Sequence, residues 1–270
     1  MEVIIQNDPA SAAVLTARVI ATQLRANPSL VLGLATGRTM LPVYDELARM
    51  HEEEALDFAR CVTFNLDEYI GLTPDNPFSY RYYMNRNLFD RVNIAPRNTH
   101  VLNGMANDLD AECVEYERTI TACGGIGLQL LGIGNDGHIG FNEPLSALRS
   151  RTRQKALTPA TVAQNAPLFD NPDQMPRRAL TMGVGTILES GRCIVLVTGE
   201  EKAEILARAV EGPITSMVTA SALQLHPRCT YVVDEAAAMA LDHKDYYRWI
   251  FDHEPEWQGY RACGDARPRA

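Results

Sequence analysis

Unbroken apolar runs recur along the chain, and each is followed by turn residues and then by apolar positions at helical spacing. Val3-Ile4-Ile5 passes through Asp8-Pro9 into helical spacing over residues 10–24. Leu30-Val31-Leu32-Gly33-Leu34 passes through Thr36-Gly37 into a second helix through Leu47. Leu128-Gln129-Leu130-Leu131 runs into a glycine-rich turn, and residues 193–197 run through Thr198-Gly199 into a helix ending at Val210. Tyr231-Val232-Val233 is followed by Asp234-Glu235 and an alanine-rich stretch that reads as a further helix. A strand with one wet face would alternate apolar and polar residues. These runs do not, so they suit parallel strands buried on both faces. The expected fold class is α/β: a mostly parallel open sheet with helices on both faces, Rossmann-like. In such a sheet ligands bind beyond the carboxyl ends of the strands, so the chemistry is expected in the loops that follow the runs.

With 270 residues, 46% of them hydrophobic, the chain can bury a sizeable core. Residues 1–254 read as a single domain. Residues 255–270, with Pro, Gly and Arg, read as a C-terminal tail expected to be partly disordered. Residues 73–98 are richer in Pro, Asn and aromatics and read as an insertion or a loop plus helix. No apolar run approaches the length of a membrane span, and Glu2 stands where a signal peptide would carry basic residues. A cytoplasmic protein with no membrane partner is expected. The net charge is −9 with no basic stripe, which argues against a nucleic-acid partner. The same acidity repels an anionic ligand at long range, so a phosphate would have to be held by local donors. None of the six cysteines forms a CxxC pair, so no zinc site built on such pairs is expected. Cys61, Cys193 and Cys229 lie beside apolar runs and read as small core residues.

Three loop segments and one lysine offer chemistry. Gly33-Leu34-Ala35-Thr36-Gly37-Arg38-Thr39 follows a strand and opens a helix. Free N–H groups there suit an anion, with hydroxyls of Thr36 and Thr39 and the charge of Arg38 to help. A tight strand–helix turn that needs glycine for its backbone angles reads as well. In Thr63-Phe64-Asn65-Leu66-Asp67-Glu68-Tyr69 two carboxylates close an apolar run. Successive strand side chains point to opposite faces, so Asp67 and Glu68 should meet different surroundings. One can enter a site as a general base while the other pairs elsewhere. The densest segment is Gly132-Ile133-Gly134-Asn135-Asp136-Gly137-His138-Ile139-Gly140-Phe141-Asn142-Glu143-Pro144. Its glycines let the backbone approach a ligand, and the carboxylates of Asp136 and Glu143 can fix the tautomer and tune the pKa of His138. The stretch has too few His or Cys ligands for a metal reading. Lys202 falls in the first turn of a helix, where the helix dipole disfavours a cation unless an anion lies beside it. A solvated surface lysine is the alternative.

Taken in order along the chain, these motifs resemble those of the glucosamine-6-phosphate deaminase family. The resemblance extends through Ser150-Arg151-Thr152-Arg153, Gly183-Val184-Gly185-Thr186 and Leu223-Gln224-Leu225-His226-Pro227, and so spans nearly the whole chain. It implies an enzyme that isomerises and deaminates an amino-sugar phosphate, hydrolysing off ammonia, with no metal and no cofactor. Asp67 resembles the acid that moves a proton between C2 and C1 of the opened sugar. His138 resembles the histidine that opens the ring, with Asp136 and Glu143 as its supports. Thr36, Gly37, Arg38, Thr39 and Lys202 fall in the family's phosphate-binding places. Ser146, Arg153 and Lys155 resemble parts of an allosteric site that some members carry, although Ala147 and Ala156 break its polar pattern. The resemblance is compatible with a homo-oligomer.

The chain departs from the family near Pro167, where many members carry a phosphate-binding arginine, and at Arg38, where glycine is common. Three other readings compete: a galactosamine-6-phosphate deaminase, a 6-phosphogluconolactonase with a related loop, and a non-catalytic sugar-phosphate sensor. The acid at Asp67 and the Phe141-Asn142-Glu143-Pro144 extension favour the deaminase over the lactonase. A sensor would need a DNA-binding segment and gives no reason for Asp67, Asp136, His138 and Glu143 to coexist.

Overall fold

The structure, a computed structural model, describes residues 1–261. Its strands are β1 (Glu2–Gln6), β2 (Val31–Leu34), β3 (Val62–Asn65), β4 (Asp67–Tyr69), β5 (Thr99–His100), β6 (Leu128–Leu131), β7 (Arg153–Ala156), β8 (Arg178–Thr181), β9 (Cys193–Val197) and β10 (Cys229–Asp234). Its main helices are α1 (Pro9–Ala26), α2 (Leu41–Glu54), α3 (Tyr80–Asn87), α4 (Leu109–Ala122), α5 (Pro159–Asn165), α6 (Val184–Leu188), α7 (Ala203–Val210) and α8 (Lys244–His253). Seven strands form one parallel sheet in the order β1-β10-β9-β6-β2-β3-β5. Every residue of β2, β6, β9 and β10 is buried, so both faces of the sheet are covered, as the unbroken apolar runs require. α1 shows how a covering helix is specified. Asp8 caps its first turn by accepting from Ser11 N, Pro9 starts it, and Ala12, Leu15, Val19 and Ile20 face inward. Burying each of the larger side chains contributes about 1.5–3 kcal/mol.

The strand order fixes where a ligand can sit. From β2 the chain builds outward through β3 and β5. It then returns to β6 on the other side of β2 and builds the opposite way through β9 and β10. The crossovers thus diverge between β2 and β6, and the loops after these two strands part to leave a crevice.

Two features differ from the sequence reading. The apolar run at residue 63 ends at Asn65. Asp67 then opens β4, which belongs to a separate antiparallel sheet in the order β4-β8-β7. The alanine-rich stretch 235–240 is a succession of turns, and the helix begins only at Lys244. Tertiary hydrogen bonds override helix propensity there. The Asp234 carboxylate accepts from Gly199 N and Ala237 N, and Glu211 accepts from the backbone N–H groups of Asp242 and His243.

Of the segment 255–270, residues 255–261 run on as short helical turns, with Trp257 fully buried and the Arg192 guanidinium 5.7 Å from its ring centroid. Residues 262–270, Cys263 among them, lie outside the described residues. Cys61, Cys193 and Cys229 are buried. Among the described residues no helix is long and apolar enough to cross a membrane.

Candidate active site

A cleft of about 320 Å³ opens at the carboxyl ends of β2, β6 and β9, over the point where the crossovers diverge. It gathers the loops singled out in the sequence: residues 35–40 after β2, Leu66 and Asp67 after β3, residues 132–135 and His138 after β6, and Thr198 and Lys202 after β9.

Asp67 and Glu68, adjacent in sequence, meet unlike surroundings. Asp67 lines the cleft but is almost fully buried. Burial, and then the neighbouring charge of Glu68, push its carboxyl up to about 8, with His138 pulling the other way. Glu68 turns inward, and its carboxylate accepts from the backbone N–H groups of Tyr69 at 2.8 Å and of Tyr80 and Arg81 at 3.0 Å each. It therefore holds the start of α3 against β4.

His138 stands between two carboxylates. Its Nδ1 lies 2.6 Å from Asp136 Oδ1 and 3.5 Å from Glu143 Oε2. Both acids approach the same nitrogen, so Nε2 is the one left for a ligand. Burial of the ring disfavours its charge, but the hydrogen bonds and charges of Asp136 and Glu143 outweigh this and raise it to about 9. Burial also works against charge on the two acids, yet the hydrogen bond to His138 holds both below the ordinary carboxylate range. Glu143 is further fixed by Thr158, whose N–H and hydroxyl reach it at 3.1 and 3.2 Å. Asp136, His138 and Glu143 also have ligand atoms within 4.8 Å of one another, close enough for a metal ion. The short Nδ1 contact with Asp136 occupies that nitrogen with a proton-sharing bond, which is the arrangement of an oriented acid–base histidine.

The phosphate candidates line one end of the cleft. Thr36, Gly37, Arg38 and Thr39 form the turn from β2 into α2. Gly37 has φ 112°, which a residue with a side chain rarely adopts. Arg38 is exposed at the rim. Lys202 is half-buried opposite, and its Nζ donates to Ile133 O at 3.0 Å and to the Asn135 side chain. Burial lowers its pKa. A bound dianion would offset that cost.

Several lining residues escaped the sequence reading. Tyr80 comes from α3, and Gln164, Asn165 and Leu168 from the α5 segment. Asn165 Nδ2 donates to the Tyr69 hydroxyl at 3.1 Å, and the Tyr80 and Tyr69 hydroxyls are 3.4 Å apart. Tyr80 lies in the aromatic-rich residues 73–98, and Gln164, Asn165 and Leu168 flank Pro167, where the resemblance places a phosphate-binding arginine, but neither signal named them as lining residues. Pro167 is exposed and does not line the cleft. The three allosteric candidates are not in the cleft either. Ser146 is buried with its hydroxyl unpartnered, Lys155 is half-buried on β7, and Arg153 donates to Asn142 Oδ1 at 2.9 Å.

Residues 8–231 match the profile of the family described as glucosamine-6-phosphate isomerases/6-phosphogluconolactonase. A glucosamine-6-phosphate deaminase of Arthrobacter sp. (strain FB24) is 51% identical over 259 residues, covering 96% of this chain and all of that protein. The solved structure of a monomeric glucosamine-6-phosphate deaminase superposes with a TM-score of 0.87 at 42% identity, covering 89% of this chain and all of that one. The 6-phosphogluconolactonase of Trypanosoma cruzi gives a TM-score of 0.72 at 19% identity, covering 89% of this chain and 97% of that one. At that identity the likeness is one of fold alone.

Proposed function

The chain belongs to the family of glucosamine-6-phosphate isomerases and 6-phosphogluconolactonases, and we infer that within it the protein is an enzyme that converts glucosamine 6-phosphate to fructose 6-phosphate and ammonia. Its near relatives along the whole chain are deaminases, whereas the lactonases share only the fold. The single observation that supports the chemistry is that the buried carboxylate of Asp67 and the ring of His138, held by Asp136 and Glu143, line the same cleft.

The reaction needs two unlike proton carriers. His138, with Nε2 free for substrate, gives a proton to the ring oxygen as the C1–O5 bond breaks and takes the C1 hydroxyl proton in return, which opens the pyranose to the C1 aldehyde. Asp67, when ionised, takes the proton from C2 while the C1 carbonyl oxygen takes a proton from His138, which leaves an enolamine with a C1 hydroxyl. A buried carboxylate is a stronger base than a solvated one, which suits a weakly acidic carbon. The same proton returns to C1, which becomes CH2OH, and the nitrogen gives a proton back to His138, leaving an imine at C2. Water adds to the imine carbon, the C–N bond breaks, and ammonia departs. The net reaction is an isomerisation followed by hydrolytic deamination. The turn of residues 36–39, with Arg38 and Lys202, holds the phosphate and so places C1 and C2 over Asp67.

The test is ammonia and fructose 6-phosphate production from glucosamine 6-phosphate, with galactosamine 6-phosphate and 6-phosphogluconolactone offered in parallel. Turnover of glucosamine 6-phosphate at the highest kcat/KM supports the reading. Exclusive turnover of the lactone overturns it.

A further inference from the structure

The mechanism above leaves the segments 150–153 and 183–186 unused, yet they are built into one another. Gly185 N donates to Ser150 O at 2.9 Å, and Val184 N to Ser150 Oγ at 3.1 Å. Glu117 on α4 accepts from Thr152 N, the Thr152 and Thr186 hydroxyls, and Arg151. This frame ends in Arg153. In the small sheet Arg153 pairs with Thr181 of β8, and Thr181 pairs on its other side with Asp67 of β4. Residues directly opposite in antiparallel strands carry their side chains on the same face. Asp67, Thr181 and Arg153 therefore form one row across the sheet.

The far end of that row grips the histidine loop. Arg153 NH1 donates to Asn142 Oδ1 at 2.9 Å, and the Asn142 amide donates to Ile139 O at 2.9 Å and to Met182 O at 2.8 Å. Thr181 Oγ1 accepts from Phe141 N at 3.0 Å, and Met182 N donates to Leu66 O at 2.7 Å. Asn142 is fully buried and lies immediately before Glu143 in sequence. The oxygen of its amide is thus bonded by Arg153, and the nitrogen holds Met182, just past the end of β8, and the turn that follows His138.

We propose that Arg153 is a positioning residue for the deamination, fixing Asn142 and through it the spacing between Asp67 and the His138–Glu143 loop. The proposal rests on the functional reading above. It gives Arg153 a role in the reaction itself, in place of a surface cation waiting for an effector. Half burial favours such a role, since a guanidinium drawn from water must keep its hydrogen bonds.

The experiment uses the full chain and measures ammonia release and the folded fraction by thermal melting. Wild-type turnover of glucosamine 6-phosphate tests the functional reading alone; its absence would sink that reading and leave this comparison without meaning. With an active wild type, Arg153→Met should lower kcat about ten- to a hundredfold per folded molecule, with KM changed less, since a misplaced group of about 1 Å costs on that order. Arg153→Gln serves if the methionine variant does not fold. Arg153→Lys, which keeps one donor, should recover part of the loss. Gln154→Ala, whose side chain bonds Asp110 and Arg178 on the other face, should leave kcat unchanged. Asn142→Ala should resemble Arg153→Met, and the double variant should be little worse than the worse single. A wild-type kcat in Arg153→Met or Arg153→Gln, or losses that multiply in the double variant, overturns the proposal.

Discussion

The imidazole of His138 fills the space that a side chain on Gly134 would need: a Cβ there would stand 2.2 Å from the ring's Cε1. Gly134 also donates its N–H to His138 O at 2.9 Å, so the loop closes on itself around the ring. Glycine at this position makes room for the ring that we propose as the ring-opening acid. Gly134→Ala should therefore push the ring away from the cleft while leaving the sheet intact. The expected result is a loss in kcat of about a hundredfold with a folded protein. Near-normal turnover in that variant would show that the ring has room to move without consequence.

Asp67 and Glu68 should fail in different ways. Asp67→Asn removes the carbon base, and loss of general-base catalysis is typically worth about two to four orders of magnitude. The same change should stabilise the fold at mildly alkaline pH. The folded pKa of Asp67, about 8, lies above its ordinary value of 3.8, so ionising it costs folding free energy as pH rises toward 8. Glu68→Gln keeps the Asp67 carboxylate, though it removes the neighbouring charge that helps raise it, and it weakens the acceptor of three backbone N–H groups. Its melting temperature should fall more than its kcat per folded molecule. The reverse pattern, with Glu68→Gln the slower enzyme, would exchange the two roles.

Most of the main sheet was legible because strands such as β9, Cys193-Ile194-Val195-Leu196-Val197, are unbroken apolar runs. The edge strand β5, Thr99-His100, carries no such run and was not legible. The site's position followed from the apolar runs, since the chemistry-bearing loops all leave the strands' carboxyl ends. The small sheet was not legible. β7 is Arg153-Gln154-Lys155-Ala156, partly exposed, and its strand character comes from pairing with β8. Nor were Tyr80 and Asn165 legible as lining residues, because they reach the cleft through contacts between segments far apart in sequence. The alanine-rich stretch failed for the opposite reason: its local preference is real, and the carboxylates of Asp234 and Glu211 overrule it.

The pH profile should be a narrow bell. The rate needs Asp67 ionised, so kcat/KM rises as pH passes about 8. It needs His138 protonated, so kcat/KM falls as pH passes about 9. Asp136→Asn removes the closer of the two carboxylates that raise His138 against the effect of burial. The histidine should then lose its proton at lower pH, and the alkaline limb should move down by a unit or so while the maximum shrinks. The measurement is kcat/KM against pH for both proteins. An alkaline limb that stays in place would mean that another group, and not His138, sets it.

The proposed phosphate contact can be tested at the turn after β2. Pro167 supplies no donor and does not line the cleft, and in the proposed reading the dianion is met by the turn of residues 36–39 and by Lys202. Arg153 is committed to Asn142, and Arg177 is exposed and outside the cleft lining. That leaves Arg38 as the guanidinium at the rim. Its planar fork suits phosphate, and the chain's net charge of −9 gives no long-range help. A charge-assisted contact is worth about 1.5–3 kcal/mol, which corresponds to roughly one to two orders of magnitude in binding. Arg38→Gly should raise KM for glucosamine 6-phosphate by that factor. The kcat should fall much less, because the phosphate is remote from C1 and C2 and the contact serves ground and transition states alike. Lys202→Met should raise KM as well and also free Asn135, to which its ammonium is bound. Inorganic phosphate, as a competitive inhibitor, separates binding from catalysis: its inhibition constant should rise in both variants. An unchanged KM and an unchanged phosphate inhibition constant in Arg38→Gly would show that the turn's backbone and Lys202 hold the phosphate without it.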